Sequence, residues 1–228
     1  MRLLALETAT EACSVALWLG GECRERYQIA PRAHAELILP MAEALLQEAG
    51  LRLTALDAVA FGRGPGAFTG VRVATAVAQA LGFAAELPVV PISTLAVLAQ
   101  GALREGPGDR VLAMLDARMG ELYWGAFTLA GGVARAQGLE CVARPERVPT
   151  PAPGHWLAVG SGWPVHRAAL TARFGTALCL RWLAQPAYPR ASDLAPLAAA
   201  ALAAGEARDP AEAQPVYLRD RVAEPPAR

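Results

Sequence analysis

Phe61-Gly62-Arg63-Gly64-Pro65-Gly66-Ala67-Phe68-Thr69-Gly70-Val71-Arg72 is the stretch that decides how the chain folds. Just before it, Leu56 to Phe61 is a short apolar run with a polar start, the pattern of a buried strand. After it, Val71 to Glu86 is apolar except at Arg72, Thr75, Gln79 and Glu86, a polar stripe at helical spacing. Thr69 is expected to cap that helix through its hydroxyl. Gly62, Gly64 and Gly66 therefore sit where a strand feeds a helix, and helix N-termini attract anions. Two phosphate signatures fail here. A P-loop needs a Lys after its final Gly, and the chain has no Lys. The dinucleotide fingerprint needs a third Gly where this sequence has Ala67 or Thr69. What remains is a tight turn made with glycine and Pro65, an anion or nucleotide loop, or a loop that meets a partner.

Composition narrows the field. The chain has 228 residues, 54% hydrophobic and 18% charged, enough for one large or two small globular cores. Its formal net charge is zero, so a basic footprint for independent nucleic-acid binding is missing. Without Lys, Schiff-base and Lys-general-base mechanisms are excluded. The cysteines Cys13, Cys23, Cys141 and Cys179 show neither a CxxC nor metal-ligand spacing. Glu7 stands where a signal peptide would continue its apolar core. The longest charge-free apolar run, Val73 to Ala85, is too short to span a bilayer. These features predict a cytoplasmic protein with no membrane contact.

Along the chain, strands are expected at Arg2 to Leu6, Cys13 to Leu19 and Glu22 to Ile29, then a helix from Pro31 to about Ala49. The glycine stretch with its strand and helix follows, then a strand at Pro88 to Ile92 and a helix capped by Ser93. The order is β-β-β-α-β-α-β-α, an antiparallel start followed by parallel crossovers. Arg104-Glu105-Gly106-Pro107-Gly108-Asp109 reads as a linker. Beyond it the opening recurs: Leu3 to Thr10 leading into Ser14 to Trp18 is echoed by Leu112 to Met119 leading into Glu121 to Phe127. Each copy is a strand ending in a carboxylate (Glu7, Asp116), a short turn, and an alternating strand with an aromatic. The expected division is residues 1–103, a smaller second domain at 109–190, and a helix and tail at 191–228 returning to the first. Ser192 is the expected cap of that helix and Gly205 its stop. Pro215 to Arg219 is an apolar-aromatic clasp, and residues 224–228 are expected to fray.

Two halves that each open strand–acid–turn–strand resemble the actin-like ATPases, where paired hairpin turns grip phosphates and Mg²⁺. Leu6-Glu7-Thr8-Ala9-Thr10, Gly62 to Arg72, Asp116-Ala117-Arg118-Met119-Gly120-Glu121 and Pro215 to Arg219 narrow this. Over nearly its whole length the sequence resembles the TsaB family, whose members assist in making threonylcarbamoyladenosine in tRNA. The resemblance implies an α/β actin-like (ASKHA) fold of two related β-β-β-α-β-α halves, the second reduced. It also implies a non-catalytic partner of TsaD, the related enzyme that transfers the threonylcarbamoyl group. The ATPase TsaE would join them, the isolated chain would form a homodimer, tRNA would be engaged indirectly, and no cofactor would be held.

The residues agree with a missing catalytic apparatus. After the strand matching Pro88 to Ile92, the transferase carries an HxxxH metal pair, and the matching positions here are Thr94 and Leu98, neither an imidazole. His34, His155 and His166 are the only histidines, and no two are four apart. The second turn, Gly-rich in the transferase, here carries side chains that would keep a phosphate from the backbone. Glu7 and Asp116 are left as residual nucleotide or Mg²⁺ contacts, or as acceptors of backbone N–H groups within their turns.

Function without catalysis would then reside on surfaces. The first two long helices are apolar around more of their circumference than the roughly one third to one half that a sheet covers. The expected partner face comprises Leu37, Ile38, Met41 and Leu45 on the first helix. On the second it comprises Val71, Ala74, Thr75 and Ala78, where small residues admit another helix closely. Met41→Glu or Ala78→Glu is accordingly expected to break pairing and spare folding. A different class of function, an actin-like ATPase or small-molecule kinase using Glu7 and Asp116 on Mg–ATP, is the alternative. A peptidase ranks last, since no Ser/His/Asp grouping is readable.

Overall fold

A computed structural model describes residues 1–185 and 188–219; the expected fraying of 224–228 lies outside the described residues. The first half contains β1 (Arg2–Glu7), β2 (Ala12–Leu19), β3 (Glu22–Ile29), α1 (His34–Glu48), β4 (Ala58–Gly62), α2 (Phe68–Ala85), β5 (Val89–Ile92) and α3 (Thr94–Glu105). The second contains β6 (Arg110–Arg118), β7 (Glu121–Ala130), β8 (Val133–Ala136), β9 (Cys141–Ala143), β10 (Gly154–Val159), α4 (Gly162–Phe174), β11 (Leu178–Trp182) and α5 (Ala191–Ala203).

The echo in the sequence is a duplicated topology. The first sheet runs β3-β2-β1-β4-β5 and the second β8-β7-β6-β10-β11, with β9 also paired to β7. β1 lies antiparallel to β2 and parallel to β4, and β6 is likewise antiparallel to β7 and parallel to β10. A strand enclosed on both faces must be apolar throughout rather than alternating, and Leu3 to Leu6 and Val111 to Leu115 meet that demand. Between β8 and β10 the second half carries β9 and a single 3₁₀ turn, Pro145–Arg147, where the first half has α1. This is the actin-like fold with a reduced second half.

Alternate residues of each central strand feed different cores. Leu3 and Ala5 join Val111, Ala113, Leu98 and Leu194 in a core between the sheets. Leu4 and Leu6 face Ile38, Leu45, Ala74 and Ala78 on the outer side. Leu112 and Met114 face Trp163, Leu170 and Phe174 of α4. The middle layer is made by exchange: α3 packs on β6 and β7 of the second sheet, α5 on β1 and β2 of the first, and the two helices pack on each other. The result is five layers, α1 and α2, sheet, α3 and α5, sheet, α4.

Helix ends correct three expectations. Ser93 does cap α3, its hydroxyl accepting from Leu95 N at 3.2 Å and Ala96 N at 3.4 Å. Thr69 does not cap α2: the helix starts at Phe68 with Ala67 as N-cap and no side-chain bond, so Thr69 falls inside the first turn. Ser192 is likewise inside α5, whose N-cap is Arg190. The free N–H groups there are met from β2 and β3, Ala191 N by the Ser14 hydroxyl at 2.8 Å and Ser192 N by Glu25 at 3.1 Å. Arg190 grips the same Glu25 carboxylate through two nitrogens, at 2.9 and 2.5 Å. Finally, α1 begins at His34, because Arg32 turns the chain with φ +71°.

The faces of α1 and α2 differ from expectation as well. Ile38 and Leu45 on α1, and Val71, Ala74, Thr75 and Ala78 on α2, are all buried inside this chain; Leu37 and Met41 are half-buried. The two helices lie side by side on one sheet, so each buries a flank on its neighbour as well as a face on the strands. That absorbs the wide apolar stripe. α2 has 18 residues of mean hydropathy 1.3, long and apolar enough to cross a membrane, but one third of it is buried inside the fold.

Since Ala78 is fully buried among Phe61, Val59 and Leu6, Ala78→Glu should unfold the protein rather than merely disconnect it. An unpaired buried carboxylate costs roughly 3 kcal/mol or more. A thermal melt matching the parent would contradict this placement.

Candidate functional site

The glycine segment packs onto the turn that follows β1. A Cβ built at Gly62 would stand 2.1 Å from a Glu7 carboxylate oxygen, one at Gly66 2.3 Å from the Ala9 carbonyl oxygen, and one at Gly70 2.0 Å from that of Thr8. Hydrogen bonds clasp the two segments: Ala67 N donates to Ala9 O at 2.7 Å, and the Thr8 hydroxyl to Gly70 O at 2.7 Å. The glycines at 62, 66 and 70 therefore make room for the chain's own turn. Gly64 is the exception, with φ +94° and the Val216 carbonyl close by.

This packing seals Glu7, which is fully buried. One carboxylate oxygen accepts from Ala9 N at 2.8 Å and the other from the Thr94 hydroxyl at 3.3 Å. Burial pushes the Glu7 carboxyl up to about 7; the Ala9, Thr94 and Thr8 hydrogen bonds offset only part of that desolvation.

The matching turn after β6 is built differently. Asp116 is only 13% exposed yet borders open space. It accepts from Arg118 N at 3.1 Å, pairs with the Arg118 guanidinium at 3.2 Å, and has His166 Nε2 at 3.5 Å. Its own N–H donates to the Ser161 hydroxyl at 3.1 Å. Arg118, Met119 and Gly120 follow in left-handed conformations at φ +64°, +55° and +74°.

Between the two turns lies a cleft of about 930 Å³. Its walls come from the first turn, the start of α2, the second turn, the start of α4 and the tail around Tyr217. Arg32, Arg72, Arg118 and Arg219 face it against Glu11 and Asp116, an excess of positive charge. Arg72 lies 3.6 Å over the Phe68 ring and donates to the Tyr217 hydroxyl at 2.7 Å. Among the described residues, the Thr10 hydroxyl and His34 Nε2 at its edge are buried without a hydrogen-bond partner.

Of the two carboxylates expected to act together, only Asp116 borders this cleft; Glu7 is closed off behind Gly62 and Thr94. Thr10, His34 and Arg72 carried no signal in the sequence that would have joined them, because they converge only when the two halves meet. The Pro215 to Arg219 clasp was legible, but not the surface it grips.

A family model described as TsaD, tRNA N6-adenosine threonylcarbamoyltransferase, matches residues 28–227. The tRNA threonylcarbamoyladenosine biosynthesis protein TsaB of Escherichia coli K12 is 42% identical, the match covering 98% of this chain and 96% of that one. TsaB of Haemophilus influenzae is 52% identical over 54% of this chain and 52% of its own. Among solved structures, YeaZ from Pseudomonas aeruginosa superposes with a TM-score of 0.85 at 47% identity, covering 95% of this chain and 99% of that one. A second Pseudomonas aeruginosa structure, of an uncharacterized protein described as similar to the peptidase YeaZ, gives 0.87 at 48%, covering 96% and 99%.

Glu7 makes stability depend on pH. Its folded-state value of about 7 lies above the ordinary 4.5, so the folded protein holds the proton more tightly than the unfolded chain. The contribution of this group to stability is then fully present below pH 4.5 and is lost as pH rises toward and through 7, by roughly 3 kcal/mol. Glu7→Gln should flatten that slope, leaving the variant about 1–3 kcal/mol more stable than the parent at pH 8 and similar at pH 5. Urea titrations at the two pH values would reveal it, and parallel slopes for both proteins would refute it.

Proposed function

The chain belongs to the family of the tRNA threonylcarbamoyladenosine biosynthesis protein TsaB, and on that basis we propose that it is the non-catalytic subunit of the complex that makes this modification. Its role in that pathway follows from the family. The finer assignment is that it pairs with a TsaD-type transferase, is joined by a TsaE-type ATPase, and meets tRNA only through them, in the cytoplasm. Alone, it would pair with itself.

The observation that carries the non-catalytic reading is what occupies the transferase's metal-ligand positions. The resemblance assigns them to Thr94 and Leu98. Thr94 is fully buried with its hydroxyl on Glu7, and Leu98 is fully buried in the core between the sheets. Neither side chain offers an imidazole to a metal. The alternative, an ATPase or kinase using Glu7 and Asp116, is left with one accessible carboxylate, since Glu7 is sealed.

The pairing surface moves around the helices from where the sequence put it. With Ala74 and Ala78 facing inward, the outer side of α2 presents Ala76, Ala80 and Phe83 at i, i+4, i+7, all exposed, and α1 adds exposed Leu39. Two alanines one turn apart admit a helix closely, and Phe83, 59% exposed, supplies a large apolar anchor.

Mixing the protein with the TsaD-type subunit of the same organism should give a 1:1 heterodimer by sedimentation. Phe83→Ala should weaken that dimer about 10- to 100-fold, and Ala80→Glu should abolish it, each with an unchanged melting curve. Absence of a heterodimer, or threonylcarbamoyl transfer to tRNA by this chain alone, would sink the proposal.

A further inference from the structure

After α5 the described tail returns along the first half, held at successive points. Arg208 exchanges backbone bonds with Val89 on the β5 edge at 2.8 and 2.9 Å. The Gln79 side chain donates to the carbonyls of Pro210 and Ala213 at 3.2 and 3.1 Å. Val216 N donates to Arg63 O at 2.7 Å, and the Tyr217 ring sits 5.7 Å from that of Phe68. Two residues later the tail has reached the other half. The Arg219 guanidinium donates to the Ala117 carbonyl at 2.9 Å and to the Glu121 carboxylate at 2.6 Å.

Those two acceptors bracket the strained part of the β6–β7 turn. Arg118 and Met119 are non-glycine residues at φ +64° and +55°, a region that L-residues enter at a cost. Such a conformation persists where surrounding contacts over-determine it. Hairpin pairing of Arg118 with Glu121 supplies one restraint, Asp116 a second by accepting from Arg118 N, and Arg219 a third by holding the chain on both sides. Met119, 72% exposed, has little packing to keep it there. The pairing of Arg219 with Glu121 is half-sheltered, at 19% and 30% exposed, so it is stronger than a fully exposed ion pair.

We propose that residues 214–219 are a strap that ties the two halves across the cleft and holds the second turn in its left-handed form. The strap is anchored at several points on the first half. Among the described residues its polar contacts with the second half run through Arg219. Release therefore begins there: with the guanidinium withdrawn, the turn relaxes toward ordinary backbone angles and the Asp116 side of the cleft opens. The device is independent of which partner or ligand the protein takes.

Hydrogen–deuterium exchange on the full chain tests it. Arg219→Ala should speed amide exchange at residues 116–121 at least tenfold while leaving β1 and β4 unchanged. Glu121→Gln, which breaks the same contact from the other side and spares the tail, should give a smaller acceleration in the same segment. Adding Met119→Gly to Arg219→Ala should restore part of the protection, because glycine occupies the left-handed region without strain. Exchange at 116–121 within twofold of the parent in both single variants would overturn the strap. So would acceleration spread evenly over the whole molecule, or a Met119→Gly addition that restores nothing.

Discussion

Backbone meeting backbone at the start of α2 is the constraint on which the rest of the molecule depends. The Thr8 carbonyl occupies space that any side chain at residue 70 would need, and the Ala9 carbonyl does the same at residue 66. Close approach of this kind fixes three things at once. It sets where α2 begins, it closes the first turn against the sheet, and it leaves Glu7 no route to solvent. Thr94, the first residue of α3, then turns inward to bond Glu7, so the end of β1 and the starts of α2 and α3 share one buried knot. Glycines that look like a phosphate cradle in isolation are here the clearance for that knot.

Duplicated topology does not bring duplicated chemistry. Both halves place a carboxylate at the end of the central strand, but the environments diverge. Glu7 sits fully buried behind glycines and holds its proton up to about neutral pH. Asp116 lies beside Arg118 and His166 at the edge of the cleft. The second turn achieves its shape with Arg and Met in left-handed conformations, where glycine would be free of strain. The exchange of α3 and α5 between the sheets binds these unequal halves into one body, because each helix buries its apolar face on the other half's strands.

Surface remains where the internal packing stops. α1 and α2 spend their broad apolar stripes mostly on the sheet and on each other, which leaves a narrower outer strip around Ala76, Ala80, Phe83 and Leu39. The strip is small-residued where a helix would cross and aromatic at one end. Its geometry suits the pairing inferred from the family, on a face rotated from the one that hydrophobicity alone would choose.

The sequence by itself determined the elements and their order: the apolar runs of β1, β4 and β6, the helical stripe of α2, the Ser93 cap, and the echo of Glu7 in Asp116. These are local, set by periodicity, capping and turn chemistry over a few residues. It also carried the absence of imidazoles at Thr94 and Leu98. Tertiary structure alone decided which side of α2 faces inward, that Ser14 and Glu25 rather than Ser192 cap α5, and that the glycines admit the first turn. It alone brought Arg219 to the Ala117 carbonyl and parted the fates of the two carboxylates. Each of these depends on segments dozens to more than a hundred residues apart meeting in space. Burial, the clearance for a Cβ and the proton affinity of a carboxyl belong to the packed environment, and no single stretch of chain carries that information.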